Sequence, residues 1–234
     1  MNSAPIPRLV RRTRSVSAEL AAHLERLIVN GELAPGARLP PERELAAEMS
    51  VSRASLRQAM FELESKNLIE RRQGRGSTIV AASAGATTLR TELAAVDIAI
   101  ANAIELRDIV EPRIAGFAAQ RVAESNLLQL DQVLAQSNEN LSAAESFRLD
   151  KEFHQLLAHA SQNPLLVTLC EMTTDWTEET RGLSHATRTG RRISIEGHIS
   201  IYEAVGRRDA DAASAAMEKH LLDVRNIIAA GPTT

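Results

Sequence analysis

The sequence predicts a mainly α protein in two parts, an N-terminal winged helix-turn-helix and a C-terminal all-α antiparallel helical bundle. Three observations carry that reading. Aromatic residues make up only 3% of a chain rich in Ala, Leu, Glu and Arg, which favours helix over sheet. Residues 16–80 hold three helix-like apolar patterns followed by two short β-type runs around a glycine tip. From residue 89 onward apolar residues recur at spacings of three and four almost without a break. The small polar stretch Ala81-Ala-Ser-Ala-Gly-Ala-Thr-Thr88 has nothing to anchor a core and marks the boundary. The expected organisation is a basic arm over 1–15, a winged helix-turn-helix over 16–80, a linker over 81–88 and a helical domain over 89–230.

In chain order, the arm holds Arg8, Arg11, Arg12 and Arg14 with two prolines and little apolar patterning. Leu20, Ala21, Leu24, Leu27 and Ile28 define a first helix from Val16 to Ile28, stopped by Asn30-Gly31. A turn-rich connection leads to a second helix from about Glu42 to Met49, with Pro41 suited to a first helical position. Ser52 is placed to cap a third helix that begins at Arg53 and buries Leu56, Ala59, Met60 and Leu63. Arg53 and Arg57 then lie one turn apart on its exposed side, where a groove-entering helix touches bases. The runs flanking Gln73-Gly-Arg-Gly76 form the wing hairpin. Beyond the linker the periodicity predicts helices over 90–95, 98–121, 124–139, 143–161, 163–182, 189–206 and 209–229.

Charge agrees with this division. Residues 1–80 carry 13 Lys/Arg against 9 Asp/Glu, whereas the remainder carries 14 against 21, so the basic part is the candidate for phosphate contact. No apolar run approaches the roughly 20 residues of a membrane span, and the basic N-terminus lacks the apolar core of a secretory signal. A cytoplasmic protein without a membrane partner is expected. Cys170, the single cysteine, sits in a helix-core pattern and is expected to serve packing.

The helical part contains one unusual chemical pattern. Asp150 and His154 stand four apart on one face of an amphipathic helix, and His198 and His220 fall among inward-facing apolar residues of two others. Burying three imidazoles and a carboxylate is unfavourable unless they share a partner, which a divalent metal ion of the Zn, Ni or Mn class supplies. An Asp-x-x-x-His pair alone is also consistent with a simple hydrogen-bonded pair. His23 reads as an ordinary surface histidine, His159 lies about 140° round the helix from His154, and His185 falls in an expected loop.

The segment Gly31-Glu-Leu-Ala-Pro-Gly-Ala-Arg-Leu-Pro-Pro-Glu-Arg-Glu-Leu-Ala46, with Val51-Ser-Arg-Ala-Ser-Leu-Arg-Gln-Ala59 and the Gly-Arg-Gly wing, closely resembles the N-terminal domain of GntR-family transcription regulators. That resemblance implies operator contacts by Arg43, Arg53 and Arg57, assisted by Ser52, Ser55, Gly74 and Arg75. Pro41 departs from the Ser or Thr cap of many members. Chemistry supports the same assignment: arginine can bond guanine O6 and N7 together, while hydroxyls hold phosphates. Direct phosphate neutralisation is the alternative for Arg53 and Arg57.

Residues 98–228 resemble the ligand-binding FCD domain of FadR-type members, through Glu105-Leu-Arg-Asp-Ile-Val-Glu111, Asp150-x-x-x-His154, Ser161-Gln-Asn-Pro164, His198 to Asp209 and Met217-Glu-Lys-His-Leu221. The resemblance implies a metal held by Asp150, His154, His198 and His220, and an effector-facing Arg107 able to pair with a small carboxylate. Arg107 could equally form a structural salt bridge with Glu111. The implied protein is a homodimeric, ligand-responsive regulator acting on double-stranded operator DNA with two-fold symmetry, with repression favoured, and not an enzyme. A regulator that senses the ion itself, a metal-dependent enzyme tethered to DNA, and a constitutive architectural protein are the competing readings.

Overall fold

In the computed structural model, residues 15–72, 76–80, 91 and 99–230 are described. The N-terminal head comprises α1 (Val16–Val29), α2 (Glu42–Glu48) and α3 (Arg53–Ser65), followed by strands β1 (Ile69–Arg72) and β2 (Gly76–Ile79). Leu20, Leu24, Leu45, Leu56, Met60, Leu63, Ile69 and Ile79 close one core from all five elements. Ser52 caps α3 as its sequence requires, its Oγ accepting the Ser55 N–H at 3.0 Å. Pro41 stands at the cap of α2, one position before the expected one, and offers no side-chain cap bond.

Between α2 and α3 the chain reverses through Ser50, at a φ of 54°, with the Val51 N–H returning to the Ala46 carbonyl at 3.0 Å. At the far end of α3, Asn67 takes a φ of 56° and the Leu68 N–H reaches back to the Leu63 carbonyl. That left-handed residue stops the helix and turns the chain into β1. The wing is antiparallel, with Ile69 opposite Ile79 and Arg72 opposite Gly76. The Leu39 N–H adds to it by donating to the Ser77 carbonyl at 2.9 Å, which ties the segment before α2 to the sheet. The expected basic arm and linker lie outside the described residues, apart from Ser15.

The helical part consists of α4 (Ile100–Arg121), α5 (Glu124–Gln136), α6 (Ala143–Ala160), α7 (Pro164–Trp176), α8 (Glu178–His185), α9 (Arg188–Gly206) and α10 (Ala210–Ala230). Its core joins Ile114 and Ala118 of α4, Leu130 of α5, Phe153 and Leu157 of α6, Ile201 of α9 and Met217 of α10. The single helix expected over 163–182 is instead two. The break falls at Thr177, whose buried hydroxyl donates to the Thr173 carbonyl at 2.6 Å, and the second piece runs on to His185. His185 is therefore helical and buried, not in a loop. The head rests on the bundle through α1 against α5. No described helix is long and apolar enough to cross a membrane.

Candidate functional site

Three helices bring four side chains into one polar cluster in the bundle core. Asp150 and His154 come from α6, His198 from α9 and His220 from α10, and all four are at most 5% exposed. One ligand atom from each lies within 4.8 Å of the other three. The His198 Nε2 stands 3.3 Å from the His154 Nε2 and 3.3 Å from the Asp150 Oδ1, with 3.8 Å between the His154 Nε2 and the same Oδ1. Ligands around a single ion at about 2.0–2.2 Å stand roughly 3 Å apart, so this spacing fits one metal. His220 supplies a second sign of fit. Both its ring nitrogens are buried without a hydrogen-bond partner, an arrangement that is unfavourable unless something completes it.

The surroundings hold these groups in ligand form. The His154 Nδ1 lies 2.8 Å from the Glu111 Oε2, which orients the ring and leaves Nε2 free to coordinate. Arg107 donates from Nε to the Glu111 Oε1 at 2.7 Å, which is the salt bridge that the sequence offers as the alternative to an effector-facing role. The Arg181 guanidinium pairs with the Asp150 Oδ2 and reaches the Thr174 Oγ1 at 3.2 Å. Ser194 donates to the Asp150 Oδ1 at 3.3 Å, and the His185 Nε2 lies 3.6 Å from it. Burial alone would push the Asp150 carboxyl up, but Arg181, His185 and His198 together hold it well below the usual carboxylate range. Burial pushes His198 down to about 4 and His220 well below its ordinary value, leaving both imidazoles neutral. Gly197 faces the His220 ring so closely that a Cβ there would run into Nδ1.

Glu111, Arg181, His185 and Ser194 extend the site beyond the sequence-predicted set. Glu111 was visible as the residue one turn after Arg107, but its contact with His154 required the approach of two helices. Nothing in the local pattern around Arg181 distinguishes it from a surface arginine.

The head presents a different kind of surface. Arg43 at the start of α2, with Arg53 and Arg57 on α3, is exposed, and none of the three forms an ion pair among the described residues. Ser52 is exposed and Ser55 partly so, the two hydroxyls 2.9 Å apart. Gly74 and Arg75 lie outside the described residues.

A model of bacterial regulatory proteins of the gntR family matches residues 16–79, and the FCD domain model matches residues 102–223. The chain belongs to the GntR family. This GntR-family regulator is similar to the Uxu operon transcriptional regulator of Escherichia coli (strain K12), 31% identical over 88% of this chain and 84% of the relative. It is also similar to the HTH-type transcriptional repressor NanR of Cronobacter sakazakii (strain ATCC BAA-894), 30% identical over 90% of this chain and 84% of the relative. Among solved structures, Streptococcus agalactiae GntR is 28% identical and covers 89% of this chain and 99% of its own, with a TM-score of 0.47. The GntR-family protein is thus a DNA-binding transcription regulator with a helical FCD domain, not an enzyme.

Proposed function

We propose that this GntR-family regulator is a homodimeric repressor whose hold on a two-fold symmetric operator is set by a small organic acid bound at a divalent metal in the FCD domain. The observation that carries the reading is the convergence of Asp150, His154, His198 and His220 in ligand form, with His220 unpartnered on both nitrogens. The ion is of the Zn, Ni or Mn class, and when bound it supplies a Lewis-acidic position for a carboxylate or hydroxyl oxygen. Arg107 is the carboxylate anchor. Its guanidinium holds Glu111 in a buried pair and can exchange that carboxylate for one on the effector, a geometry suited to its planar fork. On the DNA side, Arg53 and Arg57 read bases, Arg43 and Arg75 hold the duplex, and Ser52, Ser55 and the Gly74 backbone position phosphates. Relatives named as repressors support repression as the outcome.

A regulator in which the ion itself is the signal draws support from the ligand count. Four protein ligands fill a tetrahedral ion and leave two positions on a six-coordinate one. A thermal-shift screen of metal-loaded protein against sugar acids, hydroxy acids and dicarboxylates separates the two readings. One acid class is expected to raise the melting temperature, because a ligand that binds the native state stabilises it. Protein that binds metal, gains no stability from any acid and changes DNA affinity with metal alone would establish the ion as the signal.

A further inference from the structure

The seam between head and bundle buries a charged network that shares no residue with the histidine cluster. Lys66, at the C-terminal cap of α3, is 6% exposed and donates to the Glu25 Oε2 of α1 at 2.8 Å. The Glu62 Oε1 of α3 lies 3.0 Å from the same ammonium. From the bundle, the Ser125 Oγ of α5 accepts from Lys66 at 2.6 Å and also bonds Glu62, while the Gln129 Nε2 donates to Glu25 at 2.9 Å. Ser125 and Gln129 are buried as well.

Two helix ends meet here with matching charge. The Lys66 ammonium stands at the C-terminal end of α3, where the helix dipole favours a cation. The Glu62 carboxylate meets the first turn of α5, where the dipole favours an anion. Apolar residues would seal such a seam at least as stably, whereas an ionic seam is satisfied in a single alignment. The tie reaches the DNA-reading element directly, since Glu62 and Lys66 continue the helix that carries Arg53 and Arg57. It reaches the metal cluster through one packed layer: Leu130 and Val133 of α5 share a core with Leu149 and Phe153 of α6, the helix of Asp150 and His154. Beside it, a cavity of about 570 Å³ lined by Glu25, Arg26, Gln129, Lys151 and His159 leaves the seam room to rearrange.

We propose that Glu25, Glu62 and Lys66, with Ser125 and Gln129, form a latch that fixes the recognition helix to the effector bundle and transmits the bundle's state to it. Lys66, Glu62 and Gln129 are positioning residues, since DNA is touched by the arginines and metal by the histidines. The transmission part rests on the metal-dependent regulation proposed above, in the form in which the ion alone shifts the bundle; the holding part does not.

Gln129→Glu tests both parts with little risk to the head's core, because it adds a second carboxylate beside Glu25 from the bundle side. The double variant E25Q/Q129E exchanges amide and carboxylate and restores one of each. Spin labels on cysteines placed at the exposed Glu48 and Glu218, in full-length chain diluted with unlabelled protein, read the position of the head. Native Cys170 stays unlabelled, being buried with its thiol pushed up to about 12. The expected result is one narrow distance in the parent, a broadened or shifted distribution in Q129E, and recovery in E25Q/Q129E. A distribution unmoved by Q129E, or moved and not recovered by the exchange, overturns the latch.

Transmission is read as the ratio of affinities of zinc-loaded and chelator-treated protein for a duplex selected in vitro on the parent. That ratio is expected to be about fivefold or more in the parent, to collapse toward one in Q129E with zinc binding unchanged, and to return in E25Q/Q129E. Zinc-binding parent protein with a ratio of one, or a Q129E variant that keeps the parent's ratio, overturns transmission. Failure of the parent to bind zinc sinks the metal reading alone, and the distance measurement still decides the latch.

Discussion

The head and the bundle of this regulator handle charge in opposite ways. On the head, the groups proposed to meet DNA face water: Arg43, Arg53 and Arg57 are exposed, and no ion pair of theirs occurs among the described residues. In the bundle, the polar groups are buried and tied to one another, Arg107 to Glu111, Glu111 to His154, Arg181 to Asp150. The contrast follows from what each is proposed to hold. A polyanion is bound by accessible cations that displace counterions, and the protein loses no fold when one is removed. A single ion needs ligands desolvated and oriented beforehand, so each ligand is part of the core and its loss unsettles its neighbours.

The largest effects should therefore come from the bundle. Asp150→Ala and His198→Ala are each expected to lose bound metal, measured as the metal-to-protein ratio after gel filtration; unchanged content in both would remove the proposed site. Asp150→Ala should also destabilise the metal-free protein by about 3–5 kcal/mol, because it leaves the Arg181 guanidinium buried without its carboxylate. His198→Ala leaves no such charge behind, and its metal-free melting temperature should fall less. Equal losses in the two variants would break the claimed difference between a buried ion pair and a buried neutral imidazole.

On the head the effect should be smaller and should fall on binding alone. Arg57→Ala is expected to weaken a selected duplex by about 1–3 kcal/mol, roughly 5- to 150-fold, while random duplex at the same salt weakens much less. The melting temperature should stay near that of the parent, since the side chain is exposed. Equal losses on selected and random DNA would reduce Arg57 to a phosphate contact.

These two regions were not equally legible in the sequence. The cap at Ser52, the face of Leu56, Met60 and Leu63, and the inward turn of Asp150, His154, His198 and His220 all follow from local periodicity, and the structure shows each of them. What periodicity reports is which face of a helix is inside, not which other helix faces it. No local pattern marks Arg181 as buried, because its partner Asp150 lies 31 residues away. Lys66 follows a helix end, where a lysine is usually solvated, yet it is buried because α5 closes over it. The break at Thr177 was missed because no glycine or proline marks it, the helix end being stabilised by a threonine hydroxyl bonded back to its own preceding turn.

The smallest effect tests whether the head's fold and its DNA contact share one atom. The Ser52 Oγ accepts the Ser55 N–H at 3.0 Å, and the same hydroxyl is assigned to a phosphate. Ser52→Ala should cost about 1 kcal/mol of head stability through the lost cap, read as a drop of a few degrees in melting temperature, and should also weaken DNA binding. Taken alone that result is ambiguous, because a less stable head binds less DNA. Ser52→Asp separates the two roles: aspartate caps as well as serine and suits the positive end of α3, so stability should return. DNA binding should fall further, because the new carboxylate would face a phosphate. An S52D variant that is as stable as the parent and binds DNA equally well would place Ser52 in the fold of the head and away from the duplex.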